Sequence, residues 1–191
     1  MGERRNDYLC FKTVSENSLA NSRPVFASVG RLYHGSRVPG LVLLRPFPHH
    51  IVGGEAVVFA TEDIRFAIAM IHGTGNELSV TYNENKNTGR RQLFVDELRP
   101  GRLRLLEQPG YLYEISMEGF EPDVRLLPEE LVAKHAVQVL SEITIGDVRT
   151  ELENLGAQLV PYDLVQASLA MRGKKTIEPQ VEYAPSRFEP A

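Results

Sequence analysis

Tyr33, His34, Gly35, Ser36 and Arg37 stand in a row and include the residue types best suited to hold a polar ligand. An imidazole ring offers a donor and an acceptor nitrogen, and a hydroxyl can act as either. A glycine lets a ligand approach the backbone closely. Together these groups can bind a flat amide or the hydroxyls of a ribose. The run lacks the second glycine of a serine-hydrolase elbow, so we do not interpret Ser36 as a nucleophile.

Carboxylates that could support acid–base chemistry occur at two other places. Glu129 and Glu130 open a predicted strand, where successive side chains point to opposite faces, so one of the two can face a cleft. Glu142 shares a predicted strand face with polar neighbours, and we interpret it as a structural residue. His49 and His50 are adjacent and no other residues of ligand spacing accompany them, so we predict no metal site.

The elements that must position these groups begin with a strand predicted at residues 27–33, which ends at His34. Residues 45–54 carry two prolines, two histidines and two glycines, and we interpret them as a loop long enough to be functional. Residues 55–60 predict a buried strand, followed by Thr61 as the N-cap of a helix. The apolar residues of this helix recur at helical spacing up to Gly73, namely Ile64, Ala67, Ile68 and Ile71.

Further strands are predicted at residues 78–82, 93–95, 103–106, 111–116, 131–133, 136–145 and 158–160. In the longest of them, one face is expected to carry Val137, Val139, Ile143 and Ile145. Asp147 is predicted to cap a helix, and residues 163–171 predict a last one. Because strands do not alternate regularly with helices, the predicted fold class is α+β with antiparallel or mixed sheets. We expect one domain at residues 28–172, an N-terminal segment at 1–27 and a polar tail at 173–191.

The composition, net charge and cysteine count limit the classes of protein to which the chain can belong. The chain has 191 residues, of which 42% are hydrophobic and 24% charged, as in a soluble globular domain. The net charge of −4 argues against bulk attraction to nucleic acid and leaves room for a local basic cleft. Cys10 is the single cysteine, so we expect no internal disulfide and a reducing compartment. No apolar run is long enough to span a membrane and no secretory signal is visible, so we expect a cytoplasmic protein; delivery as an effector or toxin is left open.

Three stretches resemble, in order, the motifs of the ADP-ribosyltransferase superfamily on its diphtheria-toxin and poly(ADP-ribose) polymerase side. Residues 32–37 (Leu-Tyr-His-Gly-Ser-Arg) resemble the first motif, in which His-Gly-Ser or His-Gly-Thr follows an apolar–aromatic pair. Residues 57–61 (Val-Val-Phe-Ala-Thr) and the helix after them resemble the second. Residues 130–139 resemble the third, in which a glutamate opens one strand and Gln-Val opens the next. The resemblance covers about residues 29–160.

The resemblance implies two packed sheets with an NAD cleft between them, and NAD as substrate. It implies that His34 binds the adenosine ribose, that the Gly35 backbone pairs with the nicotinamide carboxamide, and that Ser36 assists. It implies that Glu130 binds the 2′-hydroxyl of the nicotinamide ribose and stabilises the oxocarbenium-like cation formed when the N-glycosidic bond breaks. The implied activity is transfer of ADP-ribose to an acceptor that the sequence does not identify.

The chain departs from the family at two stacking positions, where it has Val58 and Ala69 in place of tyrosines. Stacking on NAD would then fall to Tyr33, Phe59 or Phe66. Other functions stay open: a same-fold NAD glycohydrolase or tRNA 2′-phosphotransferase, a catalytically silent nucleotide- or protein-binding module, or chance matches in an unrelated α+β domain. The phosphotransferase would need a basic cleft, for which the candidates are Arg31, Arg37, Arg45, Arg90 and Arg91. The acceptor and the oligomeric state cannot be inferred from these residues.

Overall fold

The computed structural model describes residues 30–73, 75–84, 89 and 91–172. The expected N-terminal segment with Cys10, the expected tail and Arg90 lie outside these residues. The strands are β1 (Arg31–Ser36), β2 (Leu43–Leu44), β3 (Phe47–Pro48), β4 (Ala56–Thr61), β5 (Leu78–Glu84), β6 (Arg91–Glu97), β7 (Gly110–Ser116), β8 (Glu121–Pro122), β9 (Glu130–Ala133), β10 (Val137–Ile145) and β11 (Gln158–Val160). The α-helices are α1 (Ile64–Ala69), α2 (Val148–Asn154) and α3 (Tyr162–Met171), and 3-10 helices span His50–Val52 and Arg102–Glu107.

Two sheets and few helices make this an α+β fold, as the sequence predicts. The larger sheet has eight strands in the order β2-β10-β7-β1-β4-β9-β8, with β3 paired to β4, and all its pairings are antiparallel. The smaller sheet has the order β11-β6-β5, in which β11 and β6 are parallel.

The main core lies between the larger sheet and a layer made of α1, α2 and the smaller sheet. We call the sheet face that carries Tyr33 and Leu112 toward this core the inner face. The opposite, outer face carries a second cluster that includes Leu32, Val58 and Ile115. Successive residues of β1 therefore serve two different cores, as the alternation of a strand requires.

The structure corrects three predictions about individual elements. Residues 103–106 form part of a 3-10 helix and not a strand, because Leu103 and Leu106 are buried at the spacing of three that such a helix presents to one side. The N-cap of α1 is Asp63, whose side chain accepts from the Arg65 N–H, whereas Thr61 is the last residue of β4.

The third correction concerns β10, whose four apolar residues do not share one face. Its pairing with β7 shifts by one residue between Val139 and Ser141, which marks a β-bulge. The extra residue reverses the alternation, so Val139 packs in the outer cluster while Ile145 packs in the main core.

Candidate functional site

The larger sheet is interrupted between β1 and β4. Within the described residues, β1 is in register with β7 at all six of its residues but with β4 at a single pair, Tyr33 and Thr61. Beyond that pair no residues of the two strands are in register, and the Phe59 carbonyl is paired with the side chain of His34 instead of with the backbone of β1. We call this place the β1–β4 opening, bordered by His34 and Phe59.

The hydrogen bond that His34 makes across the opening determines its protonation. Its Nδ1 lies 2.8 Å from the carbonyl oxygen of Phe59, and a carbonyl only accepts, so Nδ1 carries the proton and donates. Burial lowers the pKa of His34, and the bond to Phe59 opposes that effect only in part. The ring is therefore neutral at physiological pH, and its Nε2 is a lone-pair acceptor suited to a ribose hydroxyl.

Glu130 begins β9 directly across β4 from Tyr33. The register aligns Tyr33 with Thr61 and Thr61 with Glu130, so the three residues form one row on the inner face. One carboxylate oxygen of Glu130 accepts from the Leu127 N–H at 3.2 Å. Burial raises the pKa of Glu130, and the neighbouring charge of Glu129 adds to the rise.

His34 and Glu130 are separated by one strand but start from opposite faces of the sheet. Two strand spacings place their backbones about 10 Å apart. His34 follows Tyr33, so alternation directs its Cβ to the outer face, whereas Glu130 lies on the inner face. A ligand on the inner face can therefore contact both residues only if it reaches His34 at the β1–β4 opening.

Packing against α1 explains why position 35 is a glycine. A Cβ on Gly35 would stand 2.1 Å from the carbonyl oxygen of Ala67 in α1 and 3.0 Å from Cγ1 of Ile71. Ser36 has a local role as well, since its hydroxyl accepts from the Val38 N–H at 3.1 Å. Both residues stabilise the end of β1, whether or not they contact a ligand.

The three aromatic residues that could stack on NAD differ in their exposure to solvent. Tyr33 and Phe66 are each 4% exposed and belong to the main core, where Phe66 stacks on Tyr82. Phe59 is half-buried on the inner face beside the opening. The two positions that depart from the family are core positions here, since Val58 packs in the outer cluster and Ala69 is 0% exposed.

A polar network beside Glu130 was not predicted from the sequence. Arg91 pairs with Glu129 and lies 4.3 Å above the ring of Tyr82, whose hydroxyl donates to Asp63 at 2.8 Å. Asp63 also holds the guanidinium of Arg65 through two contacts of 3.0 and 2.6 Å. The network links the smaller sheet to the start of β9, and apart from Asp63 and Arg65 its partners lie too far apart in the sequence for a local pattern to reveal them.

The segment after Ser36 is fixed to the outer face by Tyr113 and Glu142. The Tyr113 hydroxyl lies 2.6 Å from the carbonyl oxygen of Val38 and 2.8 Å from a Glu142 carboxylate oxygen. That same carboxylate oxygen accepts from the Gly40 N–H at 2.6 Å. Burial and the adjacent carboxylate raise the pKa of Tyr113 to about 12, so the hydroxyl stays protonated. These contacts agree with the structural interpretation of Glu142.

A second concavity of about 320 Å³ lies at β8 and β9, lined by Gly119, Glu121, Pro122, Asp123, Val132, Lys134 and His135. Two of its charged residues already have partners: Lys134 pairs with Glu55 at 2.6 Å, and Asp123 pairs with Arg125 at 2.6 Å. We therefore place the candidate site at the β1–β4 opening.

In the part of the chain that the structure describes, no group of three or more His, Cys, Asp or Glu residues is arranged to hold a metal ion. No helix in that same part is long and apolar enough to cross a membrane. Comparison with family models, with curated proteins and with solved structures finds no match to this chain.

Proposed function

We propose that the chain is an NAD-dependent ADP-ribosyltransferase, which breaks the bond between nicotinamide and ribose and transfers ADP-ribose to an acceptor. The observation that supports it is the placement of His34 and Glu130 on the two strands that flank β4, at the point where the sheet opens. The order of the three motifs along the sequence and the two-sheet α+β architecture agree with the proposal.

Glu130 has the surroundings that this chemistry needs. As the glycosidic bond breaks, its electron pair leaves with nicotinamide, and positive charge develops on the ribose ring. A carboxylate that accepts a hydrogen bond from the adjacent 2′-hydroxyl stabilises that charge, and more strongly in a desolvated site than in water. The acceptor then forms a bond to the same ribose carbon with its own lone pair and loses a proton to solvent.

His34 would hold the dinucleotide in place during this step. Its Nδ1 is occupied by Phe59, so its Nε2 can accept from a ribose hydroxyl without any change of tautomer. The ring is held by the sheet, which reduces the entropy lost on binding.

The tRNA 2′-phosphotransferase alternative is weakened at two of the five arginines that were candidates for its basic cleft. Arg31 lies 3.6 Å from Glu114, and Arg91 is paired with Glu129. Both are already neutralised by carboxylates, whereas RNA phosphates would require unpaired cations. A glycohydrolase would use the same site with water as the acceptor.

The proposal is tested by incubating the protein with NAD and following nicotinamide release. We expect Glu130→Gln and His34→Ala to reduce the rate at least 100-fold, which corresponds to about 2.7 kcal/mol. Glu142→Gln is the matched control for the carboxylate. His72→Ala is the matched control for the histidine, because His72 Nε2 also contacts a backbone carbonyl oxygen, that of Gln108 at 3.2 Å.

The outcomes separate the alternatives. Release that requires an added protein or nucleic acid supports a transferase, and release in buffer alone with free ADP-ribose as product supports a glycohydrolase. NAD binding without release supports a silent binding module. Equal rates in wild type and in Glu130→Gln would show that Glu130 is not the catalytic carboxylate.

A further inference from the structure

Three aromatic side chains meet on the inner face next to the β1–β4 opening. The ring centroids of Phe47 and Phe59 are 6.3 Å apart, and His49 contacts both rings, at 5.8 Å from Phe47 and 5.0 Å from Phe59. We call these three residues the aromatic cluster. Phe47 remains 49% exposed, which is high for a phenylalanine with two aromatic neighbours.

The two proposed ligand-binding residues and the cluster contact successive positions of β4. Three residues of β4 lie on the inner face, and each contacts or aligns with one of these groups. Thr61 is in register with Glu130, and the carbonyl of Phe59 contacts His34. Val57 is in register with Phe47. Each step of two residues covers about 7 Å, so the cluster begins about 7 Å from the Glu130 row and extends to about 14 Å from it.

Resting on the proposed function, we propose that the aromatic cluster binds the adenine ring of NAD, with Phe47 as the stacking residue. A dinucleotide carries two rings, one beside each ribose, at opposite ends of a pyrophosphate. With the nicotinamide ribose at Glu130 and the other ribose at His34, the ring that reaches the cluster is adenine. The order of Glu130, His34 and Phe47 along β4 is the same as the order of the nicotinamide ribose, the adenosine ribose and adenine in the dinucleotide.

The loop that holds the cluster is closed by hydrogen bonds within the protein. The N–H of His49 donates to the Glu55 carbonyl at 3.1 Å, and the N–H of Gly54 donates to the His49 carbonyl at 2.9 Å. From outside the loop, Nη1 of Arg125 donates to the Val52 carbonyl at 2.6 Å. A loop closed in this way does not need to be ordered by the ligand, so little binding free energy is lost on that account.

His49 adds a polar group suited to a purine. Its Nδ1 accepts from the Ile51 N–H at 3.4 Å, so in the neutral ring the proton lies on Nε2. Burial and the neighbouring His50 lower the pKa of His49, which favours that neutral form. An Nε2–H donor can bond to a ring nitrogen of adenine, whereas the nicotinamide ring, bonded to ribose through its nitrogen, offers no such acceptor.

The test measures the affinities of wild type and variants for ADP-ribose and for nicotinamide by titration calorimetry. Phe47→Ala should weaken ADP-ribose binding by about tenfold or more, as expected when a stacking aromatic is removed, and leave nicotinamide binding unchanged. Phe47→Leu keeps an apolar side chain but lacks a flat face, so it should also weaken binding, whereas Phe47→Trp should restore it. Leu140→Ala is the matched control, because Leu140 is 50% exposed and lies on β10, away from the opening.

The results distinguish this inference from the proposed function. Wild-type protein that binds neither NAD nor ADP-ribose would overturn both. Wild-type binding that is unaffected by Phe47→Ala, or that Phe47→Leu fully preserves, would overturn the adenine assignment and leave the proposed function standing. Loss of nicotinamide affinity in Phe47→Ala would place the other ring at the cluster and would also overturn the assignment.

Discussion

Replacing Gly35 by alanine tests whether packing alone fixes this glycine. The added Cβ would lie 2.1 Å from the Ala67 carbonyl oxygen, and a distance below 3.0 Å essentially never occurs at a real Cβ. The obstacle is helix backbone, which cannot rotate away as a side chain can. Either β1 or α1 must therefore move by about 0.9 Å or more.

The cost follows from what that movement disturbs. α1 contributes four buried residues to the main core, Phe66, Ala67, Ile68 and Ala69. Overpacking a well-packed core costs about 1–3 kcal/mol, and backbone contact places Gly35→Ala at the upper end of that range. For a domain of this size, about 3 kcal/mol corresponds to a fall in Tm of about 6–12 °C.

Two other glycines supply a graded control in a urea or thermal unfolding assay. A Cβ on Gly110 would meet Cγ2 of Ile71 at 2.2 Å, but a side chain can reorient, so Gly110→Ala should cost less than Gly35→Ala. A Cβ on Gly146 meets nothing within 4 Å, so Gly146→Ala should be neutral or slightly stabilising.

The reasoning is refuted if Gly35→Ala unfolds at the same temperature as wild type. In that case the close approach of α1 would not restrict position 35. A loss of nicotinamide release in this variant, with stability intact, would then point to direct contact between the Gly35 backbone and the ligand.

Three further predictions concern the ionisable groups. Asp63→Ala should lower stability by about 3 kcal/mol in urea unfolding, because it removes a helix cap and leaves the half-buried Arg65 guanidinium without its carboxylate partner, whereas Asp147→Ala, an exposed cap, should cost only about 1 kcal/mol. Glu130→Gln should raise Tm at pH 8, because burial raises the pKa of Glu130 and the ionised carboxyl therefore destabilises the folded state. The stability that the neutral carboxyl contributes is present below pH 4.5 and is lost as the pH rises through the raised pKa, so the gain in Tm should vanish at acidic pH. A gain that does not depend on pH would contradict the effect of burial. The pKa of the His34 ring should lie below 6.5 when measured by NMR, and the resonance that is missing in His34→Gln assigns it. The contribution of His34 to stability is present above pH 6.5 and falls as the pH drops through the lowered pKa. A pKa above 6.5 would show that the ring is solvated.

Local patterns predicted the elements that carry the candidate site. β4 and α1 follow from a run of buried residues and from the spacing of apolar residues after it. The strand before His34 was predicted in the same way, and in the structure β1 continues through Ser36. Glu130 at the start of β9 was also predicted, because Leu131, Val132 and Ala133 form a short apolar run.

Features that depend on distant partners were not predictable. The bulge in β10 is set by its register with β7, and nothing within residues 137–145 signals an extra residue. The pairing of Arg91 with Glu129 joins a residue of β6 to the residue before β9, and from the sequence Arg91 was considered only as a candidate for a basic cleft. Gly35 was interpreted through a ligand, since the approach of α1 depends on tertiary packing.

The bond between His34 and Phe59 explains how the sheet can open at this place without leaving a strand carbonyl unpaired. A strand carbonyl that loses its neighbouring backbone needs another donor, because a buried unpaired carbonyl costs about 1–3 kcal/mol. His34 Nδ1 supplies that donor at 2.8 Å, so the separation of β1 from β4 leaves the Phe59 carbonyl paired. The same bond fixes the tautomer that leaves Nε2 as an acceptor. One histidine therefore keeps the Phe59 carbonyl paired and, under the proposed function, presents Nε2 to a ribose hydroxyl.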